Sequence, residues 1–345
     1  MPQIKDAVRL DRFDPGPISY VGFGKDEPPR LIVGIDTEAE FEWGQPFSRT
    51  KISVASVSEQ YRAQDIFDRY RIIPTYLVDY AVADDDVAVG VLSDFQRSGR
   101  CEIGAHLNPW LNPPFEETLD RFHSYPYNLP AGLEAKKLEH LTATIAERFG
   151  HNPRVYRAGR YGIGPDTGGI LADLGYCVDM SVMPHTVFSE DGGPDFRGLD
   201  HRPFRFGPKK CLLEIPASCG YTGWLAIVGG SVFPLLSSRA GMRIHGPGIS
   251  ARFRALERIR LTPEGVSFAE LRRLTKSLYR IGCRVFSLTY HSPSLAPGNT
   301  PYVRNEEELS GFLWTIEQYC RYFVNEFGGK ASTPIEEFHY VFKAR

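Results

Sequence analysis

Residues 31–43 read LIVGIDTEAEFEW, five apolar or small residues that run straight into Asp36 and Glu38. An unbroken apolar run of this kind is the pattern of a strand buried on both faces, because strands with one wet face alternate. Carboxylates placed where such a strand leaves the core are costly unless they have partners or a task. The stretch therefore predicts the first strand of an α/β fold, with Asp36 and Glu38 at its functional end. The two acids lie two positions apart, so on extended backbone both side chains point to one side. Glu40 and Glu42 continue the alternation and read as solvated.

The same arrangement recurs along the chain. Apolar runs at 72–78, 101–105, 155–158, 176–179, 212–217 and 285–290 predict further strands. Helical patterns fall between them, at 54–70, from 84 to about 96, and at 133–149, 167–174, 268–281 and 305–327. Strands alternating with helices predict a mainly parallel sheet with helices outside. Asp84, Asp85 and Asp86 suit the positive end of a helix and read as a cap rather than a metal cluster. The string GIGPDT at 162–167 lacks the third glycine of a dinucleotide loop, and its Pro165 fits a helix start.

Polar residues collect just after the strand C-termini: Asp36 and Glu38, His106 and Asn108, Arg157 and Arg160, Asp179, and His291. Open doubly wound sheets and β/α barrels both bind ligands at that end. Here the residues come from five strands, which a closed or nearly closed barrel gathers more readily. Residues 1–30, rich in Pro, Gly and charge, read as an N-terminal extension. Residues 31–345 read as one barrel domain, with an insertion containing some helix near 218–265 and a C-terminal helix at 305–327.

Bulk properties narrow the function. With 40 Lys and Arg against 42 Asp and Glu, the net charge of −2 gives no reason to expect nucleic acid or an anionic membrane as partner. No apolar run approaches the ~20 residues of a membrane-spanning helix, and the start has no secretory apolar region, so a cytoplasmic location is expected. The six cysteines include no CxxC pair and read as reduced structural thiols.

Two close carboxylates suit a general base beside a metal ligand. His106 sits in GAHLNPW, where Pro109 and Trp110 supply a stiff aromatic wall. An arginine directly after an apolar strand needs an acidic partner. Arg157, in YRAGRYG, would orient a base carboxylate and hold it ionised. Asp179, in GYCVDMSV, is a partner for it or a member of a plain salt bridge. His291, in SLTYHSPS, is placed to protonate a leaving amine. Glu214, in LLEIPAS, reads as structural, and the remaining histidines read as surface or capping residues.

The blocks IDTE, EIGAHLNPW, YRAGRYG, LGYCVDMSV, LLEIPAS and TYHSPSL, in this order over about residues 30–327, resemble the polysaccharide deacetylase (NodB-homology, carbohydrate esterase 4-like) family, in a divergent cytoplasmic branch associated with sugar-polymer gene clusters. The resemblance implies a distorted, partly open (β/α)7 barrel that removes an N-acyl group, usually acetyl, from a sugar or polysaccharide precursor. It implies Asp36 as base, His291 as general acid, Arg157 as the residue tuning the base, and Asp179 as the acid near it. It implies a divalent metal, Zn²⁺ or another, held by Glu38, His106 and Asn108. Tyr161, Trp110, Arg160 and Trp43 are the expected sugar contacts, and a carbohydrate is the expected partner. The sequence departs from the family at two positions. Trp110 stands where a second metal histidine is usual, and Asn108 stands where some relatives carry a histidine. Two alternatives follow: a metal-free, non-catalytic carbohydrate-binding protein, or an amidohydrolase acting on a non-sugar amide.

Overall fold

The computed structural model of the chain describes residues 13–41, 45–50, 52–189, 192–236, 243, 248, 250, 252 and 255–343. Seven parallel strands form the frame: β1 (Arg30–Thr37), β2 (Thr75–Val78), β3 (Glu102–Leu107), β4 (Val155–Ala158), β5 (Val178–Asp179), β6 (Leu212–Glu214) and β7 (Val285–His291). Their order is β6-β5-β4-β3-β2-β1-β7. Phe204–Phe206 adds antiparallel outside β6, and Ser19–Tyr20 pairs with it in turn. Lys330–Ala331 pairs with the start of β1.

The helices α1 (Tyr61–Arg69), α2 (Asp86–Arg97), α3 (Ala131–Phe149), α4 (Thr167–Asp173), α5 (Phe268–Arg280) and α6 (Glu306–Arg321) cover the outside. Their ends follow local chemistry. Asp85 accepts the Ala88 N–H at 2.8 Å to start α2, and Asn305 accepts the Glu308 N–H at 2.9 Å to start α6. Ser267 and Glu270 form a reciprocal capping box at α5. Gly150 ends α3 at φ +83°, a conformation open to glycine at little cost. The helix expected at 54–70 is broken: Ala55–Glu59 is a 3₁₀ turn and α1 begins only at Tyr61. The helix expected to run to 327 is α-helical to Arg321 and continues as a π turn, Tyr322–Glu326.

Strand parity divides the core. Leu31, Val33 and Ile35 of β1 face the helices, with Tyr76, Ala105, Tyr156 and Phe286 in the same layer. Ile32 faces inward with Leu77, Val155, Val178, Leu213 and Val285. The inward row of β1 thus reads Ile32, Gly34, Asp36, and its upper end is the carboxylate. A Cβ on Gly34 would lie 3.0 Å from Arg157 Nη2, so the glycine makes room for an arginine crossing the barrel interior.

β6 and β7 do not pair with each other, so the barrel stays partly open. The gap is bridged by residues of the 218–265 stretch. The Leu261 N–H donates to the Ser218 carbonyl at 2.8 Å, and the Thr289 N–H of β7 donates to the Leu261 carbonyl at 3.1 Å. That stretch carries an antiparallel pair, Cys219–Thr222 with Glu257–Arg260, and a helix, Gly229–Leu236. Among the described residues no helix is long and apolar enough to cross a membrane.

Candidate active site

Inward parity delivers one residue after another to the upper end of the barrel. Asp36 ends the row of β1, His106 that of β3 and His291 that of β7, while Arg157 lies in the inward row of β4. Glu38 and Asn108 continue the rows of β1 and β3. Asp36, Glu38, His106, Asn108, Trp110, Arg160, Tyr161 and His291 all line one cavity of about 310 Å³, together with Tyr125, Phe188 and Arg260. Trp43 lies outside the described residues.

Asp36 is buried and ion-paired to Arg157 Nη1, whose side chain is fully enclosed. Thr289 Oγ1 accepts from the same nitrogen at 2.7 Å, and Arg157 Nε donates to the Met180 carbonyl at 3.0 Å. Burial pushes the Asp36 carboxyl up, but the charges of Arg157, His106 and His291 together outweigh it and hold the group below its usual range. Asp36 is therefore an ionised carboxylate in a nearly water-free setting.

His291 stands across the cavity from it, with Nε2 3.8 Å from Asp36 Oδ2. Its other ring nitrogen donates to Glu264 Oε2 at 2.8 Å, and its backbone N–H donates to Glu264 Oε1 at 3.1 Å. Ser294 Oγ also donates to Oε1, at 2.6 Å, so Glu264 is itself locked in place. Burial lowers the imidazole pKa. Glu264, by charge and hydrogen bond, then Glu38 and Asp36, overcome that and push it up to about 10. The sequence reading missed Glu264. It comes from the 218–265 insertion and reaches His291 only through the fold.

Asp79 was missed as well. It is fully buried at the end of β2, accepts the Ala39 N–H at 3.0 Å and the Val82 N–H at 2.9 Å, and is pushed by burial up to about 6.

Asp179 is brought elsewhere. It is in register with Tyr156 and Glu214, in the row that faces the helices. It accepts from Ser181 Oγ, while Arg157 forms its ion pair with Asp36. Burial, and for Glu214 also the nearby Asp179 charge, raises both carboxyls. Asp179 thus adds a negative field behind Arg157 without touching it. Among the other histidines, His201 is buried rather than a surface residue.

The residues expected to hold a metal meet, but not as a ligand set. His106 Nδ1 is 3.1 Å from the Arg157 carbonyl, which makes it the donor, and Nε2 lies 3.4 Å from Glu38 Oε2. Asn108 directs its amide nitrogen at Glu38 Oε2 (2.8 Å) and Asp79 Oδ2 (3.4 Å). Two carboxylate acceptors fix that end of the amide as the NH₂. Its Oδ1 is buried without a partner, pressed against Gly159, where a Cβ would approach to 2.5 Å. An amide that donates to a carboxylate oxygen cannot also offer its own oxygen to a cation there. Glu38 and His106 alone fall short of the three protein ligands of a catalytic zinc site. Among the described residues no group of three His, Cys, Asp or Glu side chains is placed to hold a metal ion. The arrangement present does not fit the metal expected from the sequence.

The cavity walls are aromatic. Trp110 is buried beside Phe47 (centroids 4.4 Å), and Tyr161 stacks on Phe188 (6.2 Å). The Arg160 guanidinium lies 4.0 Å over the Tyr125 ring and donates to Ser124 Oγ at 2.6 Å. Arg160 and Tyr161 have φ of +55° and +57° in succession. Non-glycine residues rarely adopt this region, and such backbone strain tends to collect at functional sites.

No protein-family model matches the chain, and no curated protein matches its sequence. Solved structures do match. A proposed glycoside hydrolase/deacetylase from Parabacteroides distasonis aligns with TM-score 0.57 at 10% identity, over 92% of this chain and 72% of that one. A proposed polysaccharide deacetylase from Mycobacterium smegmatis aligns with TM-score 0.54 at 14% identity, over 94% of each chain. The Puue allantoinase aligns with TM-score 0.53 at 14% identity, over 94% of this chain and 97% of that one. The fold of this chain is therefore that of the polysaccharide deacetylases, shared with an allantoinase.

Proposed function

We propose that the protein is a hydrolase that removes an N-acyl group, acetyl in the first instance, from a sugar or polysaccharide precursor. One observation carries the reading. An ionised carboxylate held by Arg157 and a charged imidazole held by Glu264 face each other across one aromatic-walled cavity, 3.8 Å apart. A base and an acid in opposite protonation states are what amide hydrolysis needs. Asp36 takes a proton from water as it attacks the amide carbon. The oxyanion that forms lies among the donors of the same cavity, the His106 imidazole and a backbone N–H near Tyr161. His291 then gives its proton to the departing amine, leaving a free amino sugar and a carboxylate. Trp110, Tyr161 and Arg160 contact the sugar. Asp179 acts only through the field behind Arg157. No step passes through a metal, because the donor set does not support one.

The test is acetate release from a panel of N-acetylated sugars, with metal quantified in the same samples. Asp36→Asn and His291→Ala should each slow turnover by ~10²–10⁴, the usual scale for a general base or acid. Normal turnover by Asp36→Asn refutes the assignment. A second reading, a carbohydrate-binding protein without catalysis, rests on the Asn108 amide occupying Glu38. Sugar binding without acetate release under any metal supplement would establish it.

A further inference from the structure

The buried stripe of α3 runs Leu133, Lys137, Leu141, four residues apart, and its middle member is a lysine whose side chain is fully enclosed. A charge at that depth is costly unless its donors are met. Lys137 Nζ donates to the carbonyls of Asn112 at 2.6 Å, Pro114 at 2.7 Å and Pro109 at 3.0 Å. Three carbonyls require three N–H groups, so the group is the ammonium, because a neutral amine has only two. Glu117 Oε2 stands 2.9 Å away as its counter-charge, and Glu117 Oε1 accepts from Arg49 Nη2 at 2.7 Å. With every proton committed, Lys137 has none left for water or substrate. It acts through the chain it holds.

That chain is a wall of the cavity. Residues 108–125 form neither helix nor strand. A loop of this length has no sheet ladder to fix it and moves unless something else ties it down. Lys137 ties it on both sides of Trp110, at Pro109 before the ring and at Asn112 after it. Asn112 returns the contact, its amide nitrogen donating to the Lys137 carbonyl at 2.8 Å and to the Pro113 carbonyl at 2.7 Å. Between these anchors the Leu111 N–H donates to the Asn108 carbonyl at 3.0 Å and closes the turn. Asn108 and Trp110, which line the cavity, thus flank one of the carbonyls that Lys137 grips.

Buried ion pairs are often no more stabilising than apolar residues of similar volume, so stability alone gives little reason for a lysine in this stripe. Its bonds do select one course of the backbone. Binding is tighter when the contacting side chains are already ordered, since less freedom is lost on association. We propose that Lys137 is a positioning residue of the active site: it clamps the 109–114 turn from the helical layer and holds the Trp110 ring in place before the sugar arrives. The inference rests on the reading of the cavity as the site of an N-acyl sugar.

Lys137→Met tests this, because the variant keeps the length of the side chain and removes the ammonium. With the N-acetylated sugar that the wild type hydrolyses best, KM should rise at least about tenfold while kcat stays within about threefold, the signature of lost binding rather than lost chemistry. In a Trp110→Ala background the same substitution should change KM by less than about twofold, because residues that act through one another are not additive. A second readout needs no turnover. Acrylamide should quench the fluorescence of Trp110, taken as the difference from the matching Trp110→Phe protein, more strongly in Lys137→Met than in the wild type. Should Lys137→Met fail to fold, Glu117→Gln, which removes only the counter-charge, should move KM and quenching in the same direction. An unchanged KM, KM effects that add across the two substitutions, or unchanged quenching overturns the proposal and leaves Lys137 a support of the fold alone. If the wild type releases acetate from no sugar, the sugar reading falls, and the quenching comparison still decides whether Lys137 holds the Trp110 ring.

Discussion

Glu264→Gln isolates what holds His291 charged. The substitution keeps the size of the side chain and an oxygen able to accept from His291 Nδ1, now at 2.8 Å from a carboxylate oxygen, but removes the charge. Glu264 is the largest influence raising the imidazole from 6.5 to about 10 against burial, with Glu38 and Asp36 behind it. At 1.36 kcal/mol per pKa unit that net shift corresponds to about 5 kcal/mol, and because burial opposes it the three carboxylates together contribute more than this. Losing the Glu264 share should move the alkaline limb of kcat/KM from near 10 to well below it, toward 6.5, while turnover at acid pH is largely kept. The stability effect has a definite sign. A folded pKa raised above the unfolded one stabilises fully below about 6.5 and loses that contribution as pH rises through about 10. The difference in unfolding free energy between wild type and variant should therefore be largest below about 6.5 and shrink toward pH 10. Alkaline limbs that coincide in the two proteins would show that Glu264 does not set the His291 charge, and the acid assignment would fall with it.

Arg157→Met leaves the buried Asp36 charge without its partner and should cost about 3–5 kcal/mol in denaturant unfolding, the usual result of removing one member of a buried pair. Gly159→Ala drives a Cβ to 2.5 Å from Asn108 Oδ1 and the Leu107 carbonyl, so it should destabilise by about 1–3 kcal/mol and lower turnover by displacing Asn108. Glu134, fully buried beside Thr167, is pushed by burial up to about 8. A raised folded pKa makes its contribution present below about 4.5 and lost through about 8, so wild type should weaken relative to Glu134→Gln as pH climbs across that range in thermal melts.

The frame was readable because strand burial writes itself into short apolar runs, and because parity then dictates what each run carries inward. Ile32, Gly34 and Asp36 follow from one two-residue period, and so do Gly104, His106 and Asn108. Asp79 obeys the same rule at the end of β2, and the DY that follows YLV could have been read as the others were. Asp179 shows the limit of that rule. It follows an apolar run, but β5 is only two residues long and its pairing with Tyr156 sets Asp179 in the outward row. A strand this short contains no alternation from which its facing could be inferred. Glu264 lay beyond reach for a different reason. Its partner is 27 residues away on β7, and their meeting depends on a hairpin that fills the unpaired edge between β6 and β7. Local periodicity does not encode how an open barrel is closed.

The charge balance of the cavity explains why Asn108 is more than a lost ligand. Asp36, Glu38 and Asp79 converge within a buried space. Arg157 answers Asp36, and Asp79 is raised by burial to about 6. Glu38 has the His106 ring at 3.4 Å and the Asn108 amide at 2.8 Å. A donor at position 108 thus performs the electrostatic part of a cation's task, giving a buried carboxylate a hydrogen bond beyond its contact with the His106 ring, without supplying Lewis acidity. Asn108→Asp should therefore be far more damaging than Asn108→Ala, since it adds a third acceptor where Glu38 and Asp79 already compete for one amide. If the two variants prove equally stable in denaturant, the amide is not what keeps Glu38 in place.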